Sequence, residues 1–326
     1  MNRPAHLLLA LFAVSLVRLA AQPATANSTS PPPNDEAPAR AFLAHVTTLR
    51  AAAKIPGLAV VVLRGTTCVL SEGLGYADLS DHTPVTPETL FNIASVTKPI
   101  SAVVALRLAE LSQLNLDRPL REFAGYADYR TAVRAEGGLL FRDFDDDPKK
   151  PLTLRQLLSM QANGTPGTRF FYNPPAYSWA SRPMAQVAKT PFSELATRYV
   201  FKPAGMAHSA RIHRQLPLPA PLAALLAKPY HLAPDGSFAP SDPPAPQGDG
   251  AAGGVISSAL DLARFDRALT EGELLTPASP LKCGPPAAPP MARSCPTASA
   301  GSSKNFTAKN SSGTPASGKA PTPRST

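Results

Sequence analysis

The sequence predicts an α+β fold, with an antiparallel sheet flanked by helices. Three observations predict it. Leu58–Leu63 and Thr67–Ser71 are apolar, β-branched runs around a turn at Arg64-Gly65, the pattern of an antiparallel strand pair. Ile100–Leu111 is an apolar run of helical length. Val255–Ser257 is a short strand pattern, followed at Ala259–Leu269 by a helix pattern with Asp261 and Asp266 on its polar side.

The remaining elements follow in chain order. Met1–Ala26 has Arg3 at its start, an apolar run from Leu7 to Val17 and a small-residue site at Ala24-Thr25-Ala26, which together read as a secretory signal peptide. That run is too short to span a bilayer, and no later segment is apolar enough to do so. The chain is therefore expected to be secreted or periplasmic. Residues 27–40 are Pro/Ser-rich, a flexible lead-in. Ala41–Ala53 has helical spacing, broken by Ile55-Pro56-Gly57. Thr153–Met160 reads as a short helix capped by Thr153, and Ser178–Ala188 and Pro191–Tyr199 as two more. Pro217–Pro246 is Pro/Ala-rich and reads as a loop able to cover a cleft. From residue 282 to 326 large aliphatics nearly vanish, so this tail reads as disordered. The folded domain is thus bounded at 41–281.

The net charge of +9 suggests a nucleic-acid binder, but its distribution argues against one. The tail holds six cations and no acid, the leader holds two cations, and +1 remains for residues 27–281. A near-neutral body offers no basic face. Cys68 is the body's single cysteine and reads as a buried, inert thiol in an apolar strand pattern. No Cys/His cluster has metal spacing, and the acids at Asp143 and Asp145–Asp147 lack the glycine turn of a calcium loop. Neither metal nor cofactor is expected. His208 and His213 read as surface residues.

The chemistry centres on Ser95-Val96-Thr97-Lys98. A helix sets residues i and i+3 on one face, so the Lys98 amine lies beside the Ser95 hydroxyl. A serine hydroxyl attacks carbonyls only when a neighbour takes its proton. Backbone N–H groups at a helix start also suit a developing oxyanion. Alone, these four residues are a weak signal, since chance matches are common.

The flanking residues strengthen it. Ile55-Pro56-Gly57-Leu58-Ala59-Val60, Gly75-Tyr76-Ala77-Asp78 and Phe91-Asn92-Ile93-Ala94 before Ser95 occur in order. Leu114–Pro119, Leu154–Ser159, Pro166–Phe170, Phe201–Met206, Gly253–Ser258 and Asp261-Leu262-Ala263 follow at compatible spacing. Together, over roughly residues 40–281, they resemble the serine β-lactamase and penicillin-binding-protein family. That family includes class C β-lactamases, D-alanyl-D-alanine carboxypeptidases and related esterases. The resemblance implies a β-lactamase/transpeptidase-like architecture with a mostly helical insert over roughly residues 116–250. It implies Ser95 as nucleophile, Lys98 and Tyr172 as proton carriers, and a small-molecule or peptide substrate bearing an amide, β-lactam or ester carbonyl. The family's Tyr-x-Asn element falls on Tyr172-Asn173-Pro174. Pro174 stands where the asparagine should, which leaves Asn173 as the candidate substrate-binding side chain.

The family's third element, Lys-Thr-Gly or His-Thr-Gly on an edge strand, is absent in frame. Read one base out of frame, the tail permits codons for Met-Trp-Thr-Pro at 283–286, Tyr-Gly-Leu-Gly-Trp-Phe-Val at 297–303 and Val-Trp-His-Thr-Gly at 311–316. All three resemble the family at the expected places. The expectation is a frameshift near Leu281 or Lys282, with the C-terminal strands missing and the literal chain impaired. A genuine Pro/Ser/Ala-rich tail, and a non-catalytic penicillin-binding-like protein, remain alternatives.

Overall fold

The computed structural model describes residues 36–136, 149–213, 216–242 and 250–276. The segment read as a signal peptide, the Asp143–Asp147 cluster, Cys283, Cys295 and the 282–326 tail lie outside the described residues. Helix α1 (Glu36–Ala52) begins inside the stretch read as a lead-in. Glu36 in its first turn suits the positive helix end. None of its side chains is fully buried, and Phe42 and Leu49 remain 44% and 52% exposed.

Strands β1 (Gly57–Arg64) and β2 (Thr67–Asp78) pair antiparallel from Gly57↔Gly75 to Arg64↔Thr67, with an irregularity at Val62/Leu63. Gly65 turns the chain at a φ of 59°, where a side chain would be strained. Strand β2 outruns the predicted Ser71 end and pairs with the short β3 (Thr83–Pro84). On its other edge β1 has no strand partner among the described residues. Cys68 is half-buried and free.

Strand β4 (Leu90–Asn92) leads through a helical turn at Ala94–Val96 into α2 (Thr97–Glu110). Helix α2 is apolar all round because other elements pack around it. Ile100, Val103, Val104, Ala105 and Leu108 are at most 4% exposed. Around it sit α3 (Tyr126–Glu136), α4 (Leu154–Leu158), α5 (Pro174–Trp179), α6 (Ser181–Ala188) and α7 (Phe192–Ala196). Thr153 caps α4 as expected: its hydroxyl accepts from the Gln156 amide while Gln156 returns a bond to the Thr153 amide. A π turn at Thr197–Phe201 follows α7, then β5 (Ala210–Arg211).

The stretch 217–246, read as loop, holds more structure over its described residues 217–242. Helix α8 (Ala220–Ala223) is a single turn, and β6 (Tyr230–Leu232) and β7 (Phe238–Pro240) form a hairpin. Asp235-Gly236 turns it, with the Asp235 carboxylate accepting from the Ser237 amide and hydroxyl. The proline-rich composition masked this local signal. Finally β8 (Val255–Ser258) runs between β4 and β5, and α9 (Ala259–Thr270) packs across β1. Ser258 caps α9 through the Asp261 amide.

One polar knot ties the hairpin to the sheet. Lys228 Nζ lies 2.5 Å from Asp78 Oδ2, and the Tyr230 hydroxyl donates to Asp78 Oδ1 at 3.0 Å. The Lys228 ammonium, with Ser80, holds the Asp78 carboxyl well below the usual carboxylate range, and Asp78 in turn raises Lys228. For a lowered carboxylate the stabilisation is present above its unfolded pKa and lost in acid; for a raised lysine it is lost in base. The knot is therefore expected to hold between about pH 4 and about pH 10. Limited proteolysis checks this. Asp78→Asn should expose the Tyr230–Pro240 hairpin to cleavage at neutral pH, whereas the wild type yields there only below about pH 4 or above about pH 10.

Candidate active site

The site is assembled where β4, α2, β8 and the start of α5 meet. The Ile93 amide donates to Val255 O at 3.1 Å, so the sheet pairing persists up to the residue before the turn. There Ala94 has a φ of 44°, a sparsely populated conformation for a residue with a β-carbon. Asn92 holds that turn by accepting from the Ala94 amide at 2.9 Å. The result is that Ser95 stands exposed at the head of the central helix, while Lys98 one turn on is only 9% exposed.

The i, i+3 geometry brings Lys98 Nζ within 2.8 Å of Ser95 Oγ. The same ammonium donates to Ala252 O at 2.9 Å. The Tyr172 hydroxyl, on the loop just before α5, donates to Ser95 Oγ at 2.6 Å. Thus Ser95, Lys98 and Tyr172, distant in sequence only for the tyrosine, form one hydrogen-bonded cluster. The bonds to Ser95 and Lys98 stabilise the phenolate and lower the Tyr172 pKa against a smaller opposing effect of burial. A spectrophotometric titration at 295 nm should show one tyrosine ionising below the usual value of about 10. Tyr172→Phe should remove that step, and Lys98→Met should move it upward.

Asn173 is placed differently from the expectation. Its side chain is 1% exposed and turned into the protein. Oδ1 caps α5 by accepting from the Ala176 amide at 3.0 Å, and Nδ2 donates to Asn163 Oδ1 at 3.0 Å. Pro174 is the cause: proline favours the first helical position, which makes the preceding asparagine the cap. The Asn173 amide is thus not offered to a substrate. Beside Ser95, Val96 and Tyr172 are 49% and 47% exposed.

Several groups of the site were not singled out from the sequence. The Tyr177 hydroxyl donates to Lys98 O at 2.9 Å, and its ring lies 5.7 Å from Lys98 Nζ, with the Tyr172 ring at 5.2 Å. Two aromatic faces thereby flank the ammonium. Burial pushes the Tyr177 hydroxyl pKa up, so it stays a donor. Thr97 accepts from the Val255 amide at 3.2 Å, and Ser101 donates to Ala251 O at 2.6 Å. These contacts span long sequence separations, and only the asparagine-proline pair before α5 hinted at where Tyr177 would sit. His208 is half-buried and its main-chain amide donates to Asp261, not toward Ser95. No cluster of His, Cys, Asp and Glu fit to hold a metal occurs among the described residues.

The family model described as Beta-lactamase matches residues 42–298. The chain belongs to the beta-lactamase family. Its members include serine β-lactamase-like and penicillin-binding proteins. The chain is 26% identical over 232 residues to the putative penicillin-binding protein PbpX of Bacillus subtilis, covering 67% of this chain and 56% of that one. It is 41% identical over 68 residues to the mitochondrial serine beta-lactamase-like protein LACTB of Mus musculus, covering 21% of this chain. The chain spans 12% of LACTB's length and 56% of PbpX's. The octameric penicillin-binding protein homologue from Pyrococcus abyssi superposes with a TM-score of 0.60 at 21% identity, over 73% of this chain and 58% of that one. At that identity the likeness concerns the fold, and the fold of this beta-lactamase family member is the expected α+β architecture.

Proposed function

We propose that this chain is a serine hydrolase that works through an acyl-enzyme on Ser95, cleaving an amide, β-lactam or ester carbonyl in a small molecule or peptide. The observation that carries the proposal is the convergence of Lys98 Nζ and Tyr172 Oη on Ser95 Oγ at 2.8 and 2.6 Å. Ser95 Oγ attacks the carbonyl carbon as its proton passes to the basic partner, the Lys98 amine or the Tyr172 phenolate. The Ser95 amide, at the start of the helical segment, is one donor for the oxyanion. The same pair returns the proton to the leaving group, and the acyl-serine ester remains. Water then attacks that ester, its proton following the reverse path, and Ser95 is regenerated. The exposed Ser95 and its exposed neighbour Val96 suit an acyl group that enters from solvent. Export through the Met1–Ala26 leader belongs to the same proposal.

Intact-mass analysis after treatment with a fluorophosphonate probe, followed by peptide mapping, tests it. A single adduct on the peptide bearing Ser95 is expected. The absence of any adduct on that peptide, in protein that melts cooperatively, would sink the catalytic reading. It would favour the second one, a non-catalytic penicillin-binding-like protein. The observation behind that second reading is the internal commitment of the Asn173 side chain, which removes a side-chain amide from the cleft.

A further inference from the structure

We propose that Arg211 is a positioning residue for the Ser95–Lys98 pair, acting through the turn at Gly250–Gly254; the proposal rests on the acyl-enzyme reading above. Arg211 lies on β5 and is 2% exposed. A buried guanidinium must be met by acceptors, or the fold carries a large desolvation penalty. Here it donates to the Ile212 carbonyl, to Gly250 O at 2.8 Å and to Gly254 O at 3.3 Å. Gly250 and Gly254 are the two ends of one turn. Within that turn the carbonyls face α2: Ala252 O receives Lys98 Nζ and Ala251 O receives the Ser101 hydroxyl. The Ala251 amide donates to Ser178 O at 3.0 Å, which joins the turn to α5 as well. A shift of the turn therefore moves the acceptor that, with Ser95, sets where the Lys98 ammonium points.

The glycine at 254 supports the same reading. Its φ of 95° suits glycine alone, and a β-carbon there would stand 2.2 Å from an Arg211 guanidinium nitrogen. Backbone and guanidinium are thus fitted to each other across β5 and β8. A planar fork with five donors can hold both ends of the turn at once, which the single-point ammonium of a lysine cannot.

A residue with only a structural role would alter the melt and leave the chemistry of surviving folded protein intact. The test therefore compares Arg211→Met and Arg211→Lys with the full-length wild type, using melting temperature, kcat and KM on a nitrophenyl ester, and the 15N signal of Lys98 Nζ. That signal is identified by its loss in Lys98→Met. Positioning predicts that folded Arg211→Met loses about 10²-fold in kcat, the scale of a misplacement near 1 Å, with KM nearly unchanged and the Lys98 signal shifted. Arg211→Lys should recover part of both. If Arg211→Met fails to melt cooperatively, Arg211→Lys decides by the same two readouts. A folded variant with wild-type kcat and an unmoved Lys98 signal overturns the proposal. If the wild type itself forms no acyl-enzyme, the catalytic reading has failed, and the Lys98 signal alone still decides whether Arg211 sets its surroundings.

Discussion

Ser95→Ala is expected to lower hydrolysis of an activated ester by about 10⁶-fold, the scale seen when a serine nucleophile is removed. The reason is chemical: no other described hydroxyl receives both Lys98 and Tyr172. The fold should survive. Ser95 is exposed, and Lys98 keeps its bond to Ala252 O and its two aromatic neighbours. Little buried surface is therefore at stake, and exposed substitutions of this kind seldom move stability by more than about 0.5 kcal/mol. Steady-state kinetics beside a thermal melt provide the check. Turnover within tenfold of the wild type, at an unchanged melt, would mean that another group does the chemistry.

Lys98→Met should cost about 10³-fold in the rate of Ser95 acylation, within the range attributed to a positioned proton carrier. Methionine matches the length of the lysine stem and fills its place between the Tyr172 and Tyr177 rings, so packing is largely kept. What goes is the group 2.8 Å from Ser95 Oγ. Ala252 O also loses its donor, which costs on the order of 1–3 kcal/mol when an acceptor is left buried and unpaired. Pre-steady-state measurement separates the effects: the burst of first product should slow while substrate affinity stays near wild type. An unchanged burst rate would assign the proton transfer to Tyr172 alone.

The two substitutions differ in how visible their targets were beforehand. Ser95 and Lys98 are three residues apart on a helix, and helical geometry alone brings such a pair together. Tyr172 emerged from its place in a motif order, since nothing local says that a tyrosine 77 positions away will reach Ser95 Oγ. Asn173 was assigned to substrate although its own sequence context, an asparagine before two prolines, is the signature of a helix cap. The hairpin at Tyr230–Pro240 is likewise masked by a proline-rich composition, although Asp235-Gly236 is a turn signal.

By itself, then, the sequence determined what depends on neighbours along the chain: the strand pair around Gly65, the Thr153 cap, the apolar central helix and the Ser95–Lys98 pair. Backbone periodicity, turn chemistry and capping act over a few residues, so the order of residues suffices. Only the tertiary structure decided which carbonyl receives Lys98, which tyrosine supports it from below, where the Asn173 amide points, and that Arg211 grips the turn at Gly250–Gly254. Each of those depends on packing between segments some 40 to 155 residues apart, or on which of two nearby polar groups a newly formed helix claims. Such choices are made by burial, which forces every enclosed donor and acceptor to find a partner wherever the folded chain has placed one.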